Sequence, residues 1–255
     1  MISDRIRDGS VCLDDTELLD LSIVVPALNE ENRLPDAVRK LTDFLDVQKL
    51  EAEVLIVENA STDRTPEIAD LAAKADARFR AVHLPIRGKG SAVRAGVRAA
   101  RGRTIVFCDV DFSMPVGEIS SLYAAVGDGA DIAIASREIV GARRIGEPWR
   151  RHLMGRGFNL LVRLVAVPEI RDTQCGFKAF TRTAAEDLFS RQVINGWAFD
   201  VEVLFLARRR GYTLREVPVT WRYDASSRVR PLHDTIAMLR ELFIIRWNQT
   251  TGRYA

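Results

Sequence analysis

LSIVVP at residues 21–26 and EVLIVE at residues 53–58 decide the fold. Each is a continuous apolar run, as in a strand buried on both faces. Between them a helical pattern runs from about Glu30 to Phe44. Further strands read outward from this pair: FRAVHL (79–84), TIVFCDVD (104–111) and DIAIAS (131–136). Helices fill the gaps. One is capped by Thr62 or Asp63 and runs to Ala75, one is Ala-rich over 89–100, and one carries Pro115 in its first turn. Strand and helix alternate through short connections, which predicts an α/β fold with a mostly parallel sheet covered by helices on both faces. Such sheets bind ligands beyond the carboxyl ends of their strands. Polar clusters fall at those ends: Asn29–Glu31, Glu58–Asp63, Arg87–Gly90, Asp109 with Asp111, and Ser136–Arg137.

The length of 255 residues, 47% hydrophobic and 28% charged, suits one large domain and excludes a disordered chain. Residues 1–20 read as an extension, 21–230 as the domain and 231–255 as a C-terminal amphipathic helix. A net charge of +2 gives no reason to expect a nucleic-acid partner. Cys12, Cys108 and Cys175 are far apart, which fits a reducing cytosol. No stretch resembles a signal peptide or a transmembrane helix, so any contact with a membrane is expected at its surface.

Asp109-Val110-Asp111 closes a buried strand. In extended backbone both carboxylates face one side, and such oxygens suit Mg²⁺ or Mn²⁺ completed by substrate phosphates. Arg87-Gly88-Lys89-Gly90-Ser91 opens a helix and reads either as a phosphate cradle or as a plain Gly-rich turn. It matches neither a P-loop nor a dinucleotide fingerprint. Glu58, Asn59 and Ser61 can accept from a base and a ribose, or cap the next helix. Asp200 and Glu202 suit the positive end of a helix, while Trp197 and Trp221 read as packing groups.

From Arg137 to Arg171 the chain holds eight Arg against three acids, a local charge of +5. This stretch is a solvated helix face, a phosphate clamp or a patch for anionic lipid. In 232–249 a stripe of Leu232, Ile236, Leu239, Phe243 and Trp247 packs on the domain or lies in a membrane interface.

Taken in order, SIVVPALNEE, VLIVENASTDRT, RGKGSAVRAG and FCDVD resemble the family-2 glycosyltransferases of the GT-A fold. SRE (136–138), RDTQCGFKAF (171–180), GWAFDVEVL (196–204) and EVPVTW followed by SSRV resemble the polyprenyl-phosphate branch. The wording is most similar to that of dolichyl-phosphate β-glucosyltransferases, with the mannosyltransferases as close relatives. The resemblance implies that Pro26, Asn29, Glu30, Glu58, Asn59, Ser61, Lys89, Gly90, Asp109 and Val110 line a nucleotide-sugar pocket. Asp109 and Asp111 would hold Mg²⁺ or Mn²⁺. Ser136, Arg137, Arg150, Arg151, Lys178, Ser227 and Arg228 would grip the acceptor phosphate. Asp111, Arg137, Asp172, Gln174 and Arg222 would carry the catalytic work.

The implied reaction is inverting transfer of a hexose, glucose favoured, from UDP-glucose to a polyprenyl or dolichyl phosphate. The implied location is the cytoplasmic face of a membrane, held peripherally. Alternatives are GDP-mannose as donor, a soluble acceptor, or an inactive nucleotide-sugar binder. The chain departs from the family in Glu58-Asn59 for an Asp pair, Ala60 for Gly, and Ser226-Ser227-Arg228 for Gly-Ser-Lys.

Overall fold

A computed structural model describes residues 18–223 and 231–254. Its main sheet is built from β1 (Leu19–Ala27), β2 (Ala52–Asn59), β3 (Phe79–Leu84), β4 (Gly102–Cys108), β5 (Ile132–Ser136), β7 (Phe177–Thr181) and β8 (Leu214–Pro218). Their spatial order is β3-β2-β1-β4-β7-β5-β8. All neighbours are parallel except β7, which runs antiparallel to both β4 and β5. A small parallel ribbon pairs β6 (Arg143–Ile145) with β9 (Thr220–Arg222).

The helices are α1 (Leu34–Val47), α2 (Thr65–Ala75), α3 (Lys89–Ala99), α4 (Glu118–Gly127), α5 (Trp149–Val165), α6 (Arg182–Arg191), α7 (Phe199–Arg209) and α8 (Pro231–Thr250). The continuous apolar runs are explained by alternation across the sheet. Val24, Leu55, Val57, Phe107 and Phe180 pack on one face with α3, α6 and α7. Ile23, Val25, Val54 and Ile56 pack on the other with Leu34, Leu41 and Phe44 of α1 and Ile119 and Leu122 of α4. Both faces of the sheet are therefore dry, and polar chemistry is displaced to its ends.

Five boundaries differ from the sequence reading. α2 starts at Thr65 behind Arg64, which gives it no side-chain cap, so neither Thr62 nor Asp63 is its N-cap residue. α4 starts at Glu118, so Pro115 lies ahead of its first turn. α1 starts at Leu34 rather than Glu30, because Asn29 sits at φ 54° and turns the chain before the helix begins. The fourth strand stops at Cys108; Asp109–Asp111 form a turn closed by Phe112 N–H donating to Asp109 O. The two carboxylates thus do not owe their positions to strand alternation. LREVPVTW breaks at Val219, whose N–H donates to Ser136 O, and its two parts join different sheets.

At the end of the sheet away from the polar loops, Glu53 is sealed at 1% exposure. It accepts from Ser22 Oγ at 2.7 Å, Arg80 Nη1 at 2.9 Å and the Arg101 N–H at 2.6 Å. Burial pushes its pKa up, but these bonds and the Arg101 charge outweigh that and hold it below the usual glutamate value. A depressed folded-state pKa stabilises the fold above the unfolded value and loses that contribution as pH falls. Glu53→Gln should cost about 2–3 kcal/mol near neutral pH. The deficit against wild type, read by urea unfolding, should shrink as pH drops below the ordinary value of 4.5.

Candidate active site

The sheet order turns back on itself between β1 and β4, with β2 on one side of β1 and β4 on the other. A crevice at such a switch point is where open α/β sheets bind ligands. Its first wall is two loops sewn together by side chains. Asn29 N–H donates to Ser61 Oγ at 3.0 Å, and Thr62 N–H to Asn29 Oδ1 at 2.7 Å. Glu30 N–H donates to Thr65 Oγ1 at 2.7 Å, and the Ser61 N–H donates to Glu58 Oε1. Pro26 is the second-to-last residue of β1, opposite Val57. Glu58 and Asn59 are buried, and Asn59 Nδ2 donates to Gly88 O at 2.9 Å, tying the second loop to the third.

The Gly-rich segment is used differently from the cradle considered above. Gly90 N–H donates to Asn195 O at 2.9 Å. A Cβ on Gly88 would meet Asn195 O at 2.5 Å, and one on Gly90 would meet Ile194 O at 2.5 Å. The glycines admit the protein's own 194–195 backbone, so the Gly90 N–H is already spent. Lys89, between them, is the residue that projects into the crevice.

Lys89 Nζ lies 2.6 Å from Asp109 Oδ1 and 5.4 Å from the Trp197 ring centroid. Burial alone would lower its pKa, but the charges of Asp109, Asp200 and Asp111 reverse that and keep it an ammonium. Burial, then the charge of Asp109, raises Asp111 above the usual carboxylate range, against the Ser113 N–H and Lys89. Val110 between them is buried in the core. Hard oxygens here fit Mg²⁺ or Mn²⁺, and a cation, Lys89, already rests on one of them. Among the described residues no group of three or more His, Cys, Asp or Glu is placed for a metal. Two carboxylates therefore leave further positions to ligand oxygens or water, as is usual for Mg²⁺.

The opposite wall comes from β7. Because it is antiparallel, its first residue Phe177 pairs with Cys108, the last of β4. The turn 172–176 therefore opens at the same rim as Asp109. There Asp172 takes a bidentate ion pair from Arg137, 2.7 Å from Nε and 2.9 Å from Nη2. Arg137 also donates its N–H to Asp172, and its guanidinium lies over Trp221 at 5.5 Å. Burial opposes ionisation of Asp172, but Arg137 holds its carboxyl below the usual range. Ser136 is fully buried just before. Arg222 joins the site through its N–H, which donates to Ser113 O at 2.7 Å beside Asp111. Gln174 Nε2 leans on Met238 Sδ of α8 at 3.6 Å.

Lys178 departs from its expected place with the acceptor phosphate. It is 0% exposed, with Nζ donating to Cys175 O at 2.8 Å and paired with Asp200 Oδ1 at 2.9 Å. The alternation of β7 points it into the core beneath the turn, against the Phe107 ring. Arg150 and Arg151 fall in the first turn of α5. Ser227 and Arg228 lie outside the described residues.

Three members of this arrangement stand outside the residues expected at the site. Asp200, which suits the positive end of a helix, is the counter-ion of Lys178. Trp197, expected to pack, is 42% exposed beside Lys89. Gly176 gave no signal by itself: a Cβ there would lie 1.8 Å from Asp109 Oδ2. The GWAFD and QCGFK wording carried all three as parts of a resemblance without giving them roles. Gly176→Ala should push the Asp109 carboxylate off its present position while leaving the fold intact. Mn²⁺ affinity in the presence of a nucleoside diphosphate, read by spin resonance, should fall about 10- to 100-fold; unchanged affinity would separate Asp109 from cation binding.

Comparison with known proteins agrees with this architecture. The family described as "Glycosyl transferase family 2" matches residues 22–189. A dolichyl-phosphate beta-glucosyltransferase of Drosophila melanogaster is 38% identical, covering 91% of this chain and 76% of that protein. The Homo sapiens protein of the same description is 32% identical over 94% of this chain and 79% of its own length. Among solved structures, glucosyl-3-phosphoglycerate synthase from Mycobacterium tuberculosis, in complex with Mn²⁺, UDP-glucose and glycerol 3-phosphate, superposes with a TM-score of 0.65. At 21% identity, over 89% of this chain and 78% of that one, it shows a shared GT-A fold. A family match across most of the chain, joined to relatives above 30% identity along nearly all of it, means that the protein belongs to glycosyl transferase family 2.

Proposed function

We propose that this protein transfers glucose from UDP-glucose to a polyprenyl or dolichyl phosphate, with inversion at the anomeric carbon. The observation that carries the reading is the Lys89–Asp109–Asp111 cluster at the switch point, faced by the arginine-rich wall of Arg137 and its neighbours. The relatives described as dolichyl-phosphate beta-glucosyltransferases support the choice of glucose and of this acceptor class.

In this reading the Asn29, Glu30, Glu58, Asn59 and Ser61 wall takes the nucleoside. It is held rigid by its own hydrogen bonds, so little order is lost on binding. Asp109 and Asp111 would hold Mg²⁺ or Mn²⁺, which supplies positive charge to the diphosphate when bound. Lys89 stands within reach to add a second positive charge to the same group, and a fixed cation there stabilises the leaving charge. The acceptor is a phosphomonoester whose second pKa is about 6, so its oxygen is ionised near neutral pH. No protein base is needed; His83 is engaged by Glu58 and Asp70, and His152 by Glu147. The phosphate oxygen attacks the anomeric carbon from the face opposite the nucleotide. The carbon–oxygen bond to the diphosphate breaks, and the electron pair leaves with the diphosphate.

Asp172 spends both oxygens on Arg137 and thereby fixes that guanidinium at the acceptor wall. No helix of the described residues is long and apolar enough to cross a membrane.

Purified protein with Mn²⁺, a panel of labelled nucleotide sugars, and polyprenyl phosphate beside water-soluble acceptors tests the whole reading. Label should enter only the lipid phase, and from UDP-glucose; transfer from GDP-mannose or to soluble saccharide would replace it. Asp111→Ala should reduce transfer by about 10²–10³-fold at an unchanged melting temperature. Full activity in that variant would remove the cation assignment.

A further inference from the structure

A histidine outside the residues expected at the site stands between two carboxylates. β3 is the edge strand, separated from the β1–β4 crevice by β2. It pairs with β2 in parallel, with His83 opposite Glu58, so the two side chains leave the sheet on the same face. His83 Nδ1 lies 3.3 Å from Glu58 Oε2, and its Nε2 lies 3.1 Å from Asp70 Oδ1 of α2. An ionised carboxylate only accepts hydrogen bonds, and a neutral imidazole has a single N–H to give. Both contacts are hydrogen bonds at once only when both ring nitrogens carry a proton. The geometry therefore calls for the imidazolium, a cation shared between a buried carboxylate and an exposed one. Burial alone would lower the His83 pKa, but Asp70 and then Glu58 reverse that and raise it above the ordinary 6.5. Other charged groups on the elements packed against β3 are engaged elsewhere. Glu53 of β2 pairs with Arg80, Glu67 of α2 with Arg64, and Lys89 of α3 with Asp109, while Arg94 donates to Gln192 O. Lys74 of α2 is exposed.

The buried carboxylate carries this contact into the nucleoside wall. Glu58 spends Oε2 on His83 and Oε1 on the Ser61 N–H. Ser61 Oγ in turn accepts the Asn29 N–H at 3.0 Å. Ala60, between Glu58 and Ser61, sits at φ 58°, so the turn needs its carboxylate clasp. A rotation of Glu58 is thus felt at Ser61 and Asn29, both of which face the donor in the reading above.

We propose that His83, as an imidazolium, is a positioning residue for the donor nucleotide: it clamps Glu58, and with it the 58–61 turn, so donor binding weakens as the ring loses its proton. The inference deepens the nucleotide-sugar reading and rests on it. A neutral ring has one N–H for two carboxylates, and Asp70, the nearer, competes for it. Glu58 is then held only part of the time. Binding is strongest where the ring is charged and falls as pH rises through its pKa. The effect lies on donor affinity and leaves the chemical step alone.

The test is calorimetric binding of UDP-glucose to the full chain with Mg²⁺ and no acceptor, from about pH 6 to about pH 8.5. The diphosphate of this donor has no proton to lose in that range. Wild-type affinity should fall about 10-fold across it. His83→Gln should bind about 10-fold more weakly at the acid end and show no further fall. His83→Arg supplies charge and several N–H donors at every pH, and should restore binding and abolish the fall. Asp70→Asn removes one of the two anions, and should move the midpoint to lower pH. The chain holds three histidines, so the His83 ring signal is assigned by its loss in His83→Gln, and its titration should share that midpoint. In turnover with polyprenyl phosphate, His83→Gln should raise the KM for UDP-glucose about 10-fold and leave kcat within about twofold. A flat wild-type profile, a wild-type profile in His83→Gln, or an unmoved midpoint in Asp70→Asn would overturn the proposal alone. Failure of the wild type to bind UDP-glucose at any pH would overturn the nucleotide-sugar reading beneath it.

Discussion

A full positive charge sealed in the core governs the arrangement of the site. The Lys178 ammonium is buried on β7, and an unpaired charge there would cost several kcal/mol. Asp200, at the start of α7, compensates it at 2.9 Å, and Cys175 O accepts a hydrogen bond from Lys178 Nζ at 2.8 Å. That carbonyl belongs to the turn above, so neutralising the charge also fixes the turn. Gly176, the next residue, then stands against the Asp109 carboxylate with no room for a Cβ. The same Asp200 contributes to the charge that keeps Lys89 protonated. A core requirement for neutrality is thereby converted into the position of a surface carboxylate.

The loop carrying Trp197 is held by a comparable device. Glu202 accepts the Val193 and Ile194 N–H groups and the Tyr254 hydroxyl, the last at 2.6 Å. Glu241 of α8 accepts the Ala198 N–H at 2.9 Å. Burial pushes both carboxyls above their usual range, and the backbone donors draw them back. The segment 193–198 is therefore pinned from α7 on one side and from α8 on the other. Its carbonyls occupy Gly88 and Gly90, and its Trp197 faces Lys89. The helix that turns aromatic groups outward is thus also one that shapes the floor of the crevice.

How much of this was legible follows from what sequence patterns encode. Buried parallel strands read clearly, because both faces must be apolar, and β1 to β5 were all visible as runs. Asp109 and Asp111 were visible because carboxylates abut such a run. The antiparallel insertion of β7 was not, since a five-residue strand carries no mark of its direction or neighbours. With the direction and neighbours of β7 unreadable, nothing could show that the 172–176 turn opens beside Asp109, or that Lys178 points inward. The Gly90 N–H was unreadable for a similar reason. A glycine declares that something comes close, and only the fold tells whether it is a ligand or the 194–195 backbone. On α8 the helical period is visible in the sequence, but period cannot say which of two apolar stripes packs on the domain.

Backbone conformation ties these loops to the crevice. Asn29, Ala60 and Phe112 are the non-glycine residues with positive φ among those described, at 54°, 58° and 44°. They follow β1, β2 and β4 in turn, the three strands whose ends bound the switch point. Each is held against its local preference by contacts made elsewhere, as strained residues must be. Asn29 is fixed by the Ser61 and Thr62 bonds. Ala60 is fixed by the Glu58 carboxylate bridging to the Ser61 N–H. Phe112 is fixed by its ring packed edge-on to Phe177 at 6.0 Å and by Lys40 above it. Asn tolerates the left-handed region through its short polar side chain, whereas Ala and Phe gain nothing local from it. Ala60 is thus a position where the backbone demands what glycine gives freely, and the loop network supplies the difference.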